Sequence, residues 1–198
     1  EKTLTGFKYI GEKIESHRKA HTKNFVFGYE ESYGYLLADF VRDKDALQAC
    51  IAVSEACAYY KNHDKTFIDV LEGLYKEHGA YYDTLESLTL EKEAGLARIQ
   101  RILTSFRESN HASFADIKVS KKEDYLNQID SDNNKLEFPV SNVLKYILED
   151  GSWIALRPSG TEPKCKFYYC VKDTNLDLAK EKYTRLSKAI NDIIDTIE

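Results

Sequence analysis

Apolar residues follow two rhythms along this chain. Phe7, Ile10 and Ile14 recur at helical spacing after a Thr5-Gly6 turn, predicting a helix that Thr5 is able to cap. Asn24-Phe25-Val26-Phe27 is a short apolar run that predicts a buried strand ending at Gly28. Asp43 stands where an N-cap belongs, ahead of a helix from Lys44 to about Tyr60. Ala46, Leu47, Ala49, Cys50, Ile51, Val53, Ala56, Cys57 and Ala58 leave that helix little polar face, which predicts that it is largely buried. A third helix carries the stripe Phe67, Val70, Leu71 and Leu74, with Thr66 or Asp64 as its cap. Gly79 is its left-handed terminator, after Glu77 and His78, and marks a domain boundary. His78 reads as a helix C-terminal charge.

Beyond Gly79 the rhythm turns strand-like. Tyr81 to Leu90 reads as a strand with Leu85, Leu88 and Leu90. A helix from about Glu91 to Glu108 follows, burying Leu96, Ile99, Ile102, Leu103 and Phe106. Ile117-Lys118-Val119 is a short alternating strand, and Asn127 to Lys135 is a polar run read as a surface loop. That run has several oxygen donors but not the spacing of an EF-hand, so no metal is expected there. Val143 to Leu148 and Trp153 to Leu156 form a hairpin around Asp150-Gly151. Cys165, Phe167, Tyr169 and Val171 then alternate with Lys164, Lys166 and Tyr168, which sets the two lysines on one face. Leu176, Ala179, Tyr183, Leu186, Ala189, Ile190, Ile193 and Ile197 predict a final helix lying on an antiparallel sheet.

Composition narrows the class. With 198 residues, 42% hydrophobic and 31% charged, the chain has enough material for one or two cores. A net charge of −5 argues against a general nucleic-acid or anionic-membrane binder. No apolar run approaches the ~18 residues of a membrane span, and no signal peptide opens the chain. The four cysteines fit no disulfide or zinc pattern. Cys50 and Cys57 share a helix face as small core residues, while Cys165 and Cys170 point to opposite faces of a strand. Buried free thiols of that kind suit a reducing cytoplasm. Methionine is absent even at the first position, which is expected of a piece of a longer protein.

The chemistry concentrates in two loops. Arg157-Pro158-Ser159-Gly160-Thr161-Glu162-Pro163-Lys164 lies between two strand-like segments. Arg157 offers a planar fork of charged donors, Ser159 and Thr161 offer hydroxyls, and Gly160 lets backbone N–H groups approach a ligand. The glycine spacing is not that of a Walker loop, and a strand follows where a helix should. A phosphate site and an ordinary polar turn are the two readings that this composition allows. The second loop, Gly28 to Gly34, holds Glu30, Glu31 and Ser32 between glycines. Glu30 and Ser32, two apart, can face one ligand, the carboxylate accepting from neighbouring hydroxyls; a solvated acidic loop is the alternative. Lys44, in the first turn of its predicted helix, would meet the positive end of the macrodipole. That disfavours the ammonium form and is one route to acid–base work, an ordinary solvated lysine being the other.

Arg157 to Lys164 resembles the phosphate-binding loop in the last domain of the α-D-phosphohexomutases, the phosphoglucomutase and phosphomannomutase family. Gly28-Tyr29-Glu30-Glu31-Ser32-Tyr33-Gly34-Tyr35 resembles the sugar-binding loop of the preceding domain. Thr5-Gly6-Phe7-Lys8 and Arg42-Asp43-Lys44-Asp45 are similar to further segments of that domain, and the four matches stand in the family's order. The resemblance implies an α/β and α+β architecture. Residues 1–79 are part of the third, sugar-binding domain, and residues 80–198 are a TBP-like fourth domain, an antiparallel sheet covered by helices.

The implied function is half of an isomerase that interconverts glucose 1-phosphate and glucose 6-phosphate through a phosphoserine and a bisphosphate. Thr5 and Gly6 line the edge of the sugar site, Glu30 and Ser32 take sugar hydroxyls, and Arg157, Ser159, Gly160 and Thr161 hold the phosphate that is not reacting. Lys44 lies beside the reacting sugar as an acid–base or positioning residue. The family's serine loop, Thr-Ala-Ser-His-Asn-Pro, and its metal loop, Asp-Gly-Asp-x-Asp-Arg, do not occur in this sequence. The implied Mg²⁺ would therefore be bound outside it, with glucose 1,6-bisphosphate as activator and intermediate. Hexose phosphate and the N-terminal domains of the same parent chain are the implied partners, without nucleic acid or membrane. A mannose or pentose phosphate substrate, or a free-standing sugar-phosphate-binding module without chemistry of its own, are the alternatives.

Overall fold

The computed structural model of the protein describes residues 1–30, 33–160 and 162–198. The chain divides into two units, Glu1–Leu71 and Glu72–Glu198.

The first unit opens with helix α1, Phe7–Ala20. Its N-cap is Gly6 (φ 123°), with no side-chain cap, so Thr5 does not take the capping role open to it. Strands β1, Gly28–Tyr29, and β2, Tyr35–Leu36, pair antiparallel with Gly28 opposite Leu36. The buried strand expected over 24–27 does not form: Val26 is 82% exposed and the strand begins at Gly28. The ladder pairs Gly28 and Tyr29 with Leu36 and Tyr35, and the Glu30 amide adds one bond to the Gly34 carbonyl at 2.8 Å. Phe7, Ile14 and Leu36 form the core of the unit, with Ile10 and Phe25 packed against them. Gly11 is required there, because a Cβ would stand 2.5 Å from the carbonyl oxygen of Arg42.

Helix α2 runs from Ala46 to Lys61 and begins later than its pattern suggests. Asp45, not Asp43, is the N-cap: its Oδ1 accepts from the Leu47 and Gln48 amides, at 2.9 and 3.3 Å. The Asp43 carboxylate accepts instead from the neighbouring Lys44 amide at 2.8 Å. Nor is α2 buried. None of its residues is, and Leu47, Ile51, Val53 and Tyr59, like Cys50 and Cys57, are exposed. An apolar surface all round predicts burial only if other elements supply a core to enter, and the core of this unit is built by α1 and β2.

Helix α3, Phe67–His78, starts at a capping box. Thr66 Oγ1 accepts from the Asp69 amide at 3.2 Å, and Asp69 Oδ2 accepts from the Thr66 amide at 2.7 Å. Asp64, the other capping candidate, lies in the left-handed region at φ 52°. Gly79, at φ 85°, ends the helix and donates its N–H to the Tyr75 carbonyl.

The second unit is an antiparallel sheet with helices on one face. Its strands are β3 (Ala80–Thr89), β4 (Ser113–Phe114), β5 (Ile117–Asp124), β6 (Ile129–Asp130), β7 (Leu144–Leu148), β8 (Trp153–Pro158) and β9 (Lys164–Asp173). They lie in the order β3-β9-β8-β7-β5-β4, with β6 on β5. Helices α4, Lys92–Glu108, and α5, Leu176–Asp195, cover the face made by Leu144, Tyr146, Leu148, Ile154, Leu156, Cys165, Phe167, Tyr169 and Val171. From α4 come Ile99, Ile102, Leu103 and Phe106; from α5 come Leu186, Ile190 and Ile194. Leu96, expected in this core, is 45% exposed.

Strand β5 outruns its short alternating signal, because a bulge between Val119 and Lys121 shifts the register. The charged run Lys121 to Asp124 then continues the pairing. The polar run after it lies at the surface as expected, with 131–135 all exposed, but it is an ordered turn built around one buried carboxylate. Asp130 is buried, accepts from the Asp132 and Asn134 amides at 2.9 and 2.8 Å, and meets Lys121 Nζ at 3.1 Å. At the β7–β8 hairpin, Gly151 takes φ 86° as its turn demands. Lys182 of α5 clamps the sheet end, with Nζ at 2.9 Å from Asp150 and 2.8 Å from Asp173. Among the described residues no helix is long and apolar enough to cross a membrane.

Candidate functional site

In the first unit, the segments from three parts of the sequence meet. The β1–β2 hairpin presents Glu30, whose side chain is 13% exposed, and Lys44 Nζ stands 3.8 Å from its Oε2. Asp43 Oδ1 is 3.5 Å from the same ammonium, and the Phe7 ring centroid is 5.8 Å away. Phe7 follows Gly6, so the α1 entry lies beside the pair; Thr5 itself is exposed. Lys44 precedes the Asp45 cap and is therefore not in the first turn of α2, which removes the macrodipole argument for it. Carboxylates surround its ammonium instead.

The segment that carries Lys44 is tied on both sides. The Asp45 amide donates to the Tyr35 carbonyl at 2.8 Å, and Gln48 Oε1 accepts from the Leu37 and Ala38 amides at 3.1 and 2.7 Å. Arg42 reaches back to α1, with Nη2 at 3.0 Å from Glu15 Oε2. Hydrogen bonds from Arg18 and then Arg42 hold the Glu15 carboxyl down at about 2. Ser32, the expected partner of Glu30, lies outside the described residues.

In the second unit, Arg157 is the penultimate residue of β8 and faces Lys166 directly across the β8–β9 ladder. The loop closes on itself. The Ser159 amide donates to the Lys164 carbonyl at 2.7 Å, the Lys164 amide to the Glu162 carbonyl at 2.7 Å, and the Glu162 amide to Ser159 Oγ at 3.3 Å. The Leu90 amide donates to the Pro163 carbonyl at 2.9 Å, anchoring the loop beyond the end of β3. Arg157 is exposed, and among the described residues no carboxylate pairs with Arg157, Lys164 or Lys166. Like charges placed opposite each other destabilise a ladder, a repulsion that a bound anion would offset. Gly160 is exposed, with nothing within 4 Å of where a Cβ would stand and a φ outside the left-handed region. Neither turn geometry nor packing calls for a glycine here, and the open space leaves its backbone accessible. Thr161 lies outside the described residues.

The Glu30–Lys44 pair was not legible in the sequence, nor was the need for Gly34 beneath it, although the paired glycines of the loop were a visible signal. Among the described residues no three His, Cys, Asp or Glu side chains come together as a metal requires. The described residues therefore do not fit a Mg²⁺ ion.

Residues 1–78 match the family model for phosphoglucomutase/phosphomannomutase, alpha/beta/alpha domain III, and residues 90–180 that for the C-terminal domain. A phosphoglucomutase of Staphylococcus aureus is 40% identical over 187 residues, 92% of this chain and 33% of that protein. One from Staphylococcus epidermidis is 38% identical over 187 residues, 92% of this chain and 34% of that protein. The chain thus spans about a third of the length of the curated relatives it matches. The open-form crystal structure of the exocytosis-sensitive phosphoprotein pp63/parafusin from Paramecium shares the fold. Its TM-score is 0.60 at 21% identity, covering 96% of this chain and 33% of that one. With two consecutive domain models of one family matched in order, this chain belongs to the phosphoglucomutase/phosphomannomutase family.

Proposed function

We propose that this chain is the substrate-gripping part of a phosphoglucomutase, which moves a phosphoryl group between the 1 and 6 positions of glucose through a phosphoserine and a bisphosphate. Gly79 is the proposed boundary between its two grips. Glu30 and Ser32 take sugar hydroxyls, Thr5 and Gly6 border the sugar, and Lys44 serves the reacting end. Arg157, Ser159, Gly160 and Thr161 hold the phosphate that does not react. On this reading the phosphoryl-carrying serine, Mg²⁺ and its ligands belong to further domains of a longer enzyme. The names of the relatives favour glucose over mannose.

The grip matters for rate as well as affinity. A phosphate held far from the chemistry supplies binding energy that keeps the reacting oxygen in line. The observation that carries the reading is the exposed Arg157 guanidinium, set across from Lys166 and beside the open Gly160.

The test is a titration of glucose 6-phosphate into the chain, followed by backbone amide NMR. The largest shifts are expected at Gly160 and its loop neighbours. Arg157→Lys keeps the charge but loses the planar fork, so it should weaken binding nearly as much as Arg157→Ala, by about ten- to a hundredfold. Loop amides that stay still while others move would reduce the loop to a structural turn. The chain by itself should not turn over glucose 1-phosphate with Mg²⁺ and glucose 1,6-bisphosphate; robust turnover would overturn the assignment of the serine to other domains.

A further inference from the structure

Gly34 is buried, and its φ lies outside the left-handed region, so its backbone conformation does not call for glycine. The space around it does. A Cβ here would stand 2.9 Å from Glu30 Oε2, 2.9 Å from Lys44 Cδ and 3.3 Å from Glu30 Cδ. Real side chains do not approach that closely, so one of the two would be displaced. The carboxylate and the lysine stem therefore meet over the bare Cα of Gly34, and the ammonium reaches Glu30 Oε2 at 3.8 Å. The backbone holds this arrangement from both sides. The Glu30 amide donates to the Gly34 carbonyl at 2.8 Å, and the Asp45 amide, next to Lys44, donates to the carbonyl of Tyr35, next to Gly34.

We infer that Gly34 is a positioning residue, keeping clear the space in which Glu30 and Lys44 pair. Carboxylate and ammonium then meet a sugar phosphate as one coupled unit rather than as two independent ligands. This rests on the reading above, in which both residues face the substrate. The coupling has a chemical consequence. The Lys44 ammonium, shared with Asp43 at 3.5 Å, offsets part of the Glu30 charge, so an anionic substrate meets less repulsion there than at an isolated carboxylate. Whatever moves Glu30 also moves the lysine at the reacting end.

Two measurements test it. Carbodiimide activation of the chain, with peptide mapping by mass spectrometry, should give an amide cross-link between Lys44 and Glu30. Gly34→Ala should lower its yield on the order of tenfold. Gly73→Ala, whose Cβ meets nothing within 4 Å, is the control and should not change it. Equal yield in Gly34→Ala, or no coupling in the unaltered chain, overturns the inference. Should Gly34→Ala fail to fold, the triple variant Gly34→Ala/Glu30→Ala/Lys44→Ala decides. Restored folding supports the crowding, and continued misfolding means that Gly34 serves another purpose.

The second measurement uses the whole enzyme. Gly34→Ala should lower kcat/KM about tenfold alone but little in a Lys44→Ala background. Equal losses in both backgrounds would show a merely structural glycine. An unaltered enzyme with no mutase activity would sink the proposed function, yet leave the cross-link result to judge the pairing.

Discussion

At the scale of single residues, Gly34 and Gly160 mean opposite things. The first has room for a methyl group only if Glu30 or Lys44 moves aside, and the second has room for much more. Gly160→Ala should leave the urea midpoint of the chain unchanged, because neither φ nor packing opposes a Cβ. It should weaken phosphate binding about tenfold by blocking backbone approach, a loss worth about 1.4 kcal/mol. Unchanged affinity would mean that the phosphate does not touch the loop backbone. Lys44 makes the complementary case. In the whole enzyme, Lys44→Ala should lower kcat by about 10²–10⁴-fold, with a smaller effect on KM, if it works at the reacting end. Steady-state kinetics showing a wild-type kcat would leave it a solvated partner of Asp43 and Glu30.

At the scale of elements, helix starts were half legible. Thr66 with Asp69 makes a reciprocal cap, and Asp45 caps α2 two residues after the aspartate that the pattern favoured. Both aspartates precede the same apolar run, and only the direction of the chain leaving β2 decides which carboxylate reaches the first-turn amides. Asp45→Ala should therefore weaken the start of α2 by about 1 kcal/mol, or roughly fivefold faster exchange of the Leu47 and Gln48 amides. Asp43→Ala should leave those amides within about 0.5 kcal/mol of their original protection. Hydrogen exchange read residue by residue distinguishes the two, and the reverse ranking would return the cap to Asp43.

At the scale of the second unit as a whole, stability is tied to pH through His111. Its Nε2 is buried without a hydrogen-bond partner among the described residues, and its ring lies among those of Phe106, Phe114 and Tyr146. Burial, and then the nearby Lys122 ammonium, push its pKa below the ordinary value. The unfolded chain, titrating near about 6.5, therefore takes up the proton first. Stability is fully present above that pH, declines as pH falls below it, and levels off once the folded protein is protonated too. Urea midpoints measured from pH 7.5 to 5 should fall in the original chain and fall less steeply in His111→Phe. Parallel slopes would show that His111 is not the group responsible.

The sequence by itself determined what depends on neighbours along the chain. The alternation of β9, the Asp150-Gly151 hairpin, the stop at Gly79, the sheet-facing stripe of α5 and the turn between β8 and β9 were all readable, because spacing and turn chemistry are local. The tertiary structure decided everything that depends on which distant groups meet. It left α2 exposed, confined β1 to Gly28–Tyr29, carried β5 through a bulge and sealed Asp130 into a turn. It also brought Lys44 onto Glu30 across the bare Cα of Gly34. An apolar or charged side chain announces a need for partners, but its position in the fold selects them, and that selection is a matter of distance in space rather than along the chain.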